Sequence, residues 1–262
     1  MAEGSKGEKG WDSAADWYDG LAGDEGSYYQ KNVLDPAIYR LLGPVKGLKV
    51  LDFGCGQGYL ARKLARRGAA FVVGADASEA LVAKAREREA KERSGARFVV
   101  SDASKGDGLG AGQFHAVVCN MALQNFPDGA AALSTCARVL KPGGRAVFTL
   151  NHPCFRVPKA SGWADDPAAG VQARRVEAYL SPFKAEISVR PGADPAARTV
   201  SYHQPLSALF GFVFGAGLAV TAFEELVSPR RSFPGPRAEA ENRARREIPL
   251  FAVIALRKPR RG

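Results

Sequence analysis

The chain has 262 residues, 46% of them hydrophobic and 24% charged, which is the composition of an ordinary globular protein with enough length for one large, elaborated core. No run of eighteen apolar residues occurs, which argues against a membrane-spanning helix, and the opening MAEGSKGEKG lacks the apolar stretch of a secretory signal. The net charge is +10, and Ser228–Gly262 carries seven of that excess, with ten basic residues against three acidic ones. Such a segment either binds polyphosphate or nucleic acid or forms a solvated surface. With only Phe233 and Phe251 interleaving the basic residues, the solvated surface is favoured. Cys55, Cys119, Cys136 and Cys154 show no CxxC spacing, so they read as reduced thiols of a cytoplasmic protein, with no zinc site.

Residues 1–10 read as a disordered lead-in and 11–262 as a single domain. From Lys49 onward, short β-rich runs alternate with helical patterns, the signature of a doubly wound parallel sheet. The expected strands are 48–54, 70–76, 97–102, 114–121 and 145–151. Between them lie helices ending at Arg67 before Gly68, beginning at the N-cap Ser78, and running from Pro127-Asp128 to Leu140, with KPGG (141–144) as a turn. After Asn151 the rhythm breaks, and a hairpin is expected around Pro191-Gly192. A helix from Pro205 to Gly217, a strand near 218–227, a basic loop and a last strand at 248–258 complete the reading.

The stretch VLDFGCGQG (50–58) places three glycines where the first strand turns into a helix. In a doubly wound sheet, ligands sit at the carboxyl ends of the strands, where bare backbone permits close approach. Asp76 follows Gly56 by 20 residues and ends the second strand, where a carboxylate can hold both hydroxyls of a ribose. The spacing Gly54-x-Gly56-x-Gly58, preceded by Asp52, departs from the GxGxxG of dinucleotide enzymes. A carboxylate there would repel a pyrophosphate and suits a cationic ligand. Asp102, ending the third strand, can accept from an adenine amino group.

Together VLDFGCGQG, GADAS, VSDAS, FHAVVCNMALQNFPD and RVLKPGGRAVFTLNHP resemble the successive motifs of class I S-adenosylmethionine-dependent methyltransferases, over about residues 14–258. The resemblance implies a Rossmann-like, mostly parallel seven-stranded α/β sheet with an antiparallel last strand, a helical lid at 11–47 and a cap insert at 152–204. It implies S-adenosyl-L-methionine as cofactor, with Asp52, Gly54, Cys55, Gly56 and Gly58 around its methionine end. Asp76 and Ala77 would meet the ribose, Asp102 and Ala103 the adenine, and Asn120 and Met121 the wall below the sulfonium. The lid would bring Tyr18 to the sulfonium and Tyr29 to the methionine carboxylate, with aromatic packing as the rival role for both. His152-Pro153-Cys154-Phe155 and Tyr202-His203-Gln204-Pro205-Leu206-Ser207 are similar to a narrower bacterial subgroup of small-molecule methyltransferases related to quinone-pathway enzymes. Gln204 replaces that pattern's usual Arg, and Gln124-Asn125 replaces a pairing with Asp in second place, so no substrate is carried over.

A hydroxyl or carbon acceptor needs a base. His152, at the end of the fifth strand, and His203, at the end of the cap hairpin, are the candidates, each with local backbone bonding as the alternative. His115 reads as structural, and Trp163 and Phe155 as pocket wall. The expectation is methyl transfer to an oxygen or carbon of a small, partly apolar acceptor. Two alternatives stand beside it: an RNA or tRNA methyltransferase, for which Cys154 would be the covalent nucleophile, and a cofactor-binding member of the fold that does not methylate.

Overall fold

The computed structural model describes residues 10–188 and 198–260. The lead-in at 1–9 and the tip of the expected hairpin at Pro191-Gly192 lie outside them.

Seven strands form the central sheet: β1 (Lys49–Phe53), β2 (Phe71–Asp76), β3 (Arg97–Val100), β4 (Phe114–Asn120), β5 (Leu140–Asn151), β10 (Ala219–Leu226) and β11 (Phe251–Arg257). Their order is β10-β11-β5-β4-β1-β2-β3, parallel except for β11, which runs antiparallel to both β5 and β10. The strand order reverses between β1 and β4, so a crevice opens there at the strands' carboxyl ends.

Alternation along each strand feeds two separate cores. Leu51, Phe53, Val117 and Cys119 pack on one face with Leu133 and Cys136 of α5 (Gly129–Val139) and Leu209 and Val213 of α6 (Leu206–Gly215). Val50, Ala116 and Val118 pack on the other with Ile38 of α2 (Asp35–Leu42), Leu60 and Leu64 of α3 (Tyr59–Arg66), and Val82 of α4 (Glu79–Glu92). The caps follow the sequence: Ser78 Oγ accepts from Leu81 N at 3.1 Å, and Asp128 Oδ1 from Ala131 N at 2.9 Å.

Three expectations are revised. KPGG is no free turn: β5 begins at Leu140, pairs with Phe114, and resumes with Arg145 beside Ala116, so the Pro-Gly-Gly segment is an irregularity inside the strand. The insert holds two hairpins, not one. Antiparallel β6 (Ser161–Asp166) and β7 (Val171–Val176) precede the expected pair, β8 (Phe183–Ser188) and β9 (Arg198–His203). The basic loop contains a helix, α7 (Ala238–Glu247), which reaches β6–β7 through an Arg237–Asp165 ion pair at 3.0 Å and an Arg243 bond to Gly170 O at 2.8 Å. Part of the carboxyl-terminal charge is thereby used inside the molecule.

The amino-terminal cover consists of α1 (Ala15–Ala22), a π-helical turn (Gln30–Leu34) and α2. Asp19 pairs with Arg88 of α4 at 2.8 Å, and Gln57 Nε2, on the glycine turn, donates to Gly23 O at 2.5 Å. Arg62 is fully buried and donates to Gln57 O, Gln57 Oε1 and Glu92, fixing the turn against α3.

Candidate active site

A cavity of about 780 Å³ lies over the carboxyl ends of β1, β2, β3 and β4, between the amino-terminal helices and the insert. Gly54, Gly56, Asp76, Ala77, Asp102, Ala103, Asn120 and Met121 line it, and so do Tyr18 and Tyr29. Asp52, Cys55 and Gly58 are not among its lining residues.

The glycine turn satisfies its own backbone. Gly54 N and Cys55 N donate to Ala75 O at 2.8 and 3.0 Å, and Gly56 N donates to Asp76 Oδ2 at 2.8 Å. These amides are therefore spoken for, and what the glycines contribute is space. Gly56 has φ of +56°, and a Cβ there would stand 2.8 Å from the Tyr18 ring at the cavity wall. Gly58, with φ of +81°, is different: its Cβ would stand 2.4 Å from the Phe98 ring inside the core, so it serves packing.

Asp76 takes Gly56 N on one carboxylate oxygen and Ser78 N, at 3.0 Å, on the other. Each oxygen retains a lone pair for a further donor. Burial raises the Asp76 pKa, and these N–H donors oppose the rise. Asp52 is 1% exposed, and among the described residues its Oδ2 has no hydrogen-bond partner. Burial first, and then the Asp76 charge, push its carboxyl up to about 8. A buried acceptor with no donor is costly unless a ligand completes it. Asp102 Oδ1 accepts from Ser104 N and Oγ, both at 2.8 Å, while Oδ2 has only Lys105 at 3.9 Å.

Asn120 is held from both sides, donating to Tyr59 Oη at 2.6 Å and accepting from Thr149 Oγ1 at 2.5 Å; Tyr59 Oη in turn donates to Asp35 at 3.0 Å. The next residue, Met121, has φ of +59°, a conformation strained for a long side chain and held by two bonds from Met121 N to Thr149. The strain turns the chain sharply at the floor of the cavity.

Among the aromatic candidates, Tyr18 Oη accepts from Gln30 Nε2 at 3.2 Å, and burial pushes its phenol up to about 12, so it stays protonated at neutral pH. Tyr29 bonds Ser228 Oγ at 3.1 Å and packs edge-on against Phe251.

The two histidines expected as bases are not among the residues lining this cavity. His152 Nδ1 accepts from Cys154 N at 3.2 Å, which leaves Nε2 as the donor to Glu225 Oε1 at 2.7 Å. Burial lowers its pKa, and Glu225 opposes that. His203 Nε2 donates to Tyr179 O at 2.7 Å and lines a smaller neighbouring cleft. His115 bonds Lys49 N at 3.0 Å, far along the chain from the turn. Of the expected pocket-wall residues, Trp163 stacks with Arg174, whose centre is 5.1 Å from the ring, and Phe155 packs on His152; neither lines the cavity.

The sequence reading missed two groups. Asp12 accepts from Ser78 Oγ at 2.6 Å and Ala80 N at 3.0 Å, tying the amino-terminal segment to the start of α4, with Trp11 beside it in the cavity wall. Arg156, Lys159 and Arg174, all from the insert, line it as well. Arg156 directly follows the HPCF segment, and that adjacency was the available signal.

This strand order, with a carboxylate ending each of β2 and β3 and a glycine turn after β1, defines the class I S-adenosylmethionine-dependent methyltransferase fold. Residues 50–144 match the family described as "Methyltransferase domain". The chain is 40% identical over 122 residues to a ubiquinone biosynthesis O-methyltransferase of Alkalilimnicola ehrlichii, covering 44% of this chain and 47% of that one. To the protein of the same description from Albidiferax ferrireducens it is 38% identical over 146 residues, covering 54% and 56%. It thus spans about half the length of the curated relatives it matches. An S-adenosylmethionine-dependent methyltransferase from Mesorhizobium loti superposes with a TM-score of 0.68 at 27% identity, over 85% of this chain and 96% of that one. The [4+2]-cyclase SpnF also superposes, with a TM-score of 0.63 at 18% identity over 96% and 94%, a likeness that speaks to fold alone. Residues 50–144 thus match a methyltransferase domain, and the chain has the fold of S-adenosylmethionine-dependent methyltransferases, with partial similarity to quinone-pathway enzymes.

The residues present fit that family's cofactor. Asp52 leaves a buried oxygen unpartnered beneath the glycine turn, Asp76 keeps capacity for two hydroxyls, and Asp102 keeps one oxygen for an amino group.

Proposed function

We propose that the protein transfers a methyl group from S-adenosylmethionine to an oxygen of a small, partly apolar molecule. The observation that carries this reading is the convergence of Asp76, Asp102 and the Gly54–Gly56 turn on one cavity with a buried, unpartnered Asp52 oxygen behind it. The relatives' description as O-methyltransferases supports oxygen over carbon.

The cofactor supplies an electrophilic methyl group on a sulfonium. The chain supplies positioning and exclusion of water. Asp76 and Ala77 hold the ribose and Asp102 and Ala103 the adenine, while Asp52 faces the cationic methionine end. Tyr18 is a positioning residue, kept as a neutral phenol against Gly56. The amino-terminal helices at 11–47 and the insert at 152–204 act as lid and cap. Four free thiols fit a cytoplasmic setting, and no helix among the described residues is long and apolar enough to cross a membrane.

Calorimetric titration with S-adenosylmethionine and S-adenosylhomocysteine is the test, followed by product analysis with hydroxylated acceptors. Micromolar binding of both, with S-adenosylhomocysteine formed on turnover, is expected. Binding without any turnover would leave a cofactor-binding protein, and no binding would end the reading.

A further inference from the structure

The charges that line the cavity are segregated. Its acids, Asp12, Asp76 and Asp102, lie along β2, β3 and the amino-terminal segment; its cations, Arg156, Lys159 and Arg174, all come from the insert. Arg174 is engaged, donating to Phe155 O at 2.6 Å and Ser161 Oγ at 2.9 Å and lying over Trp163. Arg156 is not. Its guanidinium lies 5.5 Å from the Phe251 ring centre, and among the described residues it has no hydrogen bond and no acidic partner. Burial and the neighbouring Arg174 act against its charge, and nearby Tyr29 opposes them. A half-buried guanidinium has five donors to satisfy and stays charged at any physiological pH. Placed beside a second cation on a cavity wall, it has the character of a receptor for an anion. Ser161, Thr199 and Ser201 add hydroxyls to this end, and Val157 and Phe251 add apolar surface.

Resting on the methyl-transfer reading, we propose that Arg156 determines acceptor specificity by receiving a carboxylate, so that the acceptor is a hydroxy acid with its carboxylate at the insert end and its hydroxyl toward the methionine end. A guanidinium and a carboxylate form two parallel charge-assisted hydrogen bonds, which orient as well as bind. Arg174, held by Phe155 and Ser161, adds attraction without having to move. The cavity would then reject the uncharged analogue, because an unpaired Arg156 stays buried under it.

The test uses the full chain saturated with S-adenosylhomocysteine, titrated with 4-hydroxybenzoate and with its uncharged counterpart 4-hydroxybenzamide. The benzoate is expected to bind at least tenfold more tightly. Arg156→Met should bring the two within twofold, and Arg156→Lys should restore part of the preference; affinity for S-adenosylhomocysteine reports in each case whether the cofactor end is intact. If Arg156→Met fails to fold, Arg156→Lys and Arg156→Gln carry the comparison. Equal affinity for the two probes, a preference that survives Arg156→Met, or no binding of either probe would overturn the proposal. If S-adenosylhomocysteine itself does not bind, methyl transfer fails as a reading. The same two titrations on the ligand-free chain then decide the carboxylate site separately: a preference lost in Arg156→Met keeps it, and none overturns it.

Discussion

The acidic end of the cavity is assembled from the carboxyl ends of β1, β2, β3 and β4, whereas its basic end hangs on the segment between β5 and α6. At the first, sheet register fixes the strand-borne carboxylates: Asp52 pairs with Gly74 and Asp76 with Val100, at the ends of strands in a sheet packed on both faces. At the second, Arg156 sits in a turn, and Arg174 on a two-stranded hairpin that packs against α7. The difference is one of tolerance. A change at the rigid end has no way to relax, while the insert can change its side chains without touching the core, which suits a region that selects among acceptors.

The largest expected effects set this contrast at its sharpest, within a single turn. Gly56→Val places a β-branched residue at positive φ against Tyr18 and should reduce S-adenosylhomocysteine affinity by more than about a hundredfold, with backbone strain of about 1–3 kcal/mol. Gly58→Ala, two residues away, drives its Cβ into Phe98 and should lower the melting temperature more than it lowers affinity. Calorimetry and thermal melts on the pair would separate cavity from core, and equal loss in both measurements would erase the distinction. Next in size is Asp76→Ala, which strips Gly56 N and Ser78 N of their acceptor along with the proposed ribose contact. With the net loss equivalent to one hydrogen bond to a charged group, about 1.5–3 kcal/mol, affinity should fall by about ten- to a hundredfold. An Asp76→Ala protein that still bound at full strength would remove the ribose assignment.

Legibility in the sequence follows the same division. The five parallel strands, the cap Ser78, the helix opened by Pro127-Asp128 and the glycine turn after β1 could be read because buried strands, cap residues and strand-to-helix turns each have a local chemical signature. β6, β7 and α7 could not. Their burial is partial, so no apolar period marks them: β7 reads Val-Gln-Ala-Arg-Arg-Val and α7 is mostly charged. The histidines show a second limit. Position after β5 suggested a base, yet what His152 does depends on Glu225, 73 residues away, and no local pattern announces that partner. Arg156 shows the limit from the other side: its adjacency to the HPCF segment marked its place, but the absence of a partner has no signature in sequence.

A smaller effect tests the electrostatics of the rigid end. The Asp52 carboxyl stands at about 8 in the folded chain, above its value of about 3.9 when unfolded. An acid raised in this direction stabilises the fold below the unfolded value and loses that contribution as pH rises through about 8. Asp52→Asn should therefore raise the melting temperature of the ligand-free protein more at pH 8 than at pH 5, by about 2–4 °C per kcal/mol recovered in a chain of this size. The same variant should bind S-adenosylmethionine less tightly, because the proposed methionine end loses a carboxyl group that a bound cation would favour in its ionised form. A gain in melting temperature independent of pH would mean that Asp52 is not ionising across this range.

The smallest effect concerns His152, on the flexible side of the boundary. With Nε2 on Glu225 and Nδ1 on Cys154 N, the imidazole ties the start of the insert to β10. Replacing it by Gln should cost about 1–2 kcal/mol for the two bonds and leave S-adenosylhomocysteine affinity within twofold. Its folded pKa is lowered by burial, so its contribution is present above about 6.5, the unfolded value, and is lost as pH falls toward the folded one. The gap in melting temperature between wild type and His152→Gln should therefore narrow from pH 7 to pH 5. Turnover separates this role from the one its position suggested. A structural tie leaves the pH profile of kcat/KM unchanged in His152→Gln, whereas an acid limb present in the wild type and missing in the variant would make His152 the group that takes the acceptor's proton and would require the Glu225 bond to open during the reaction.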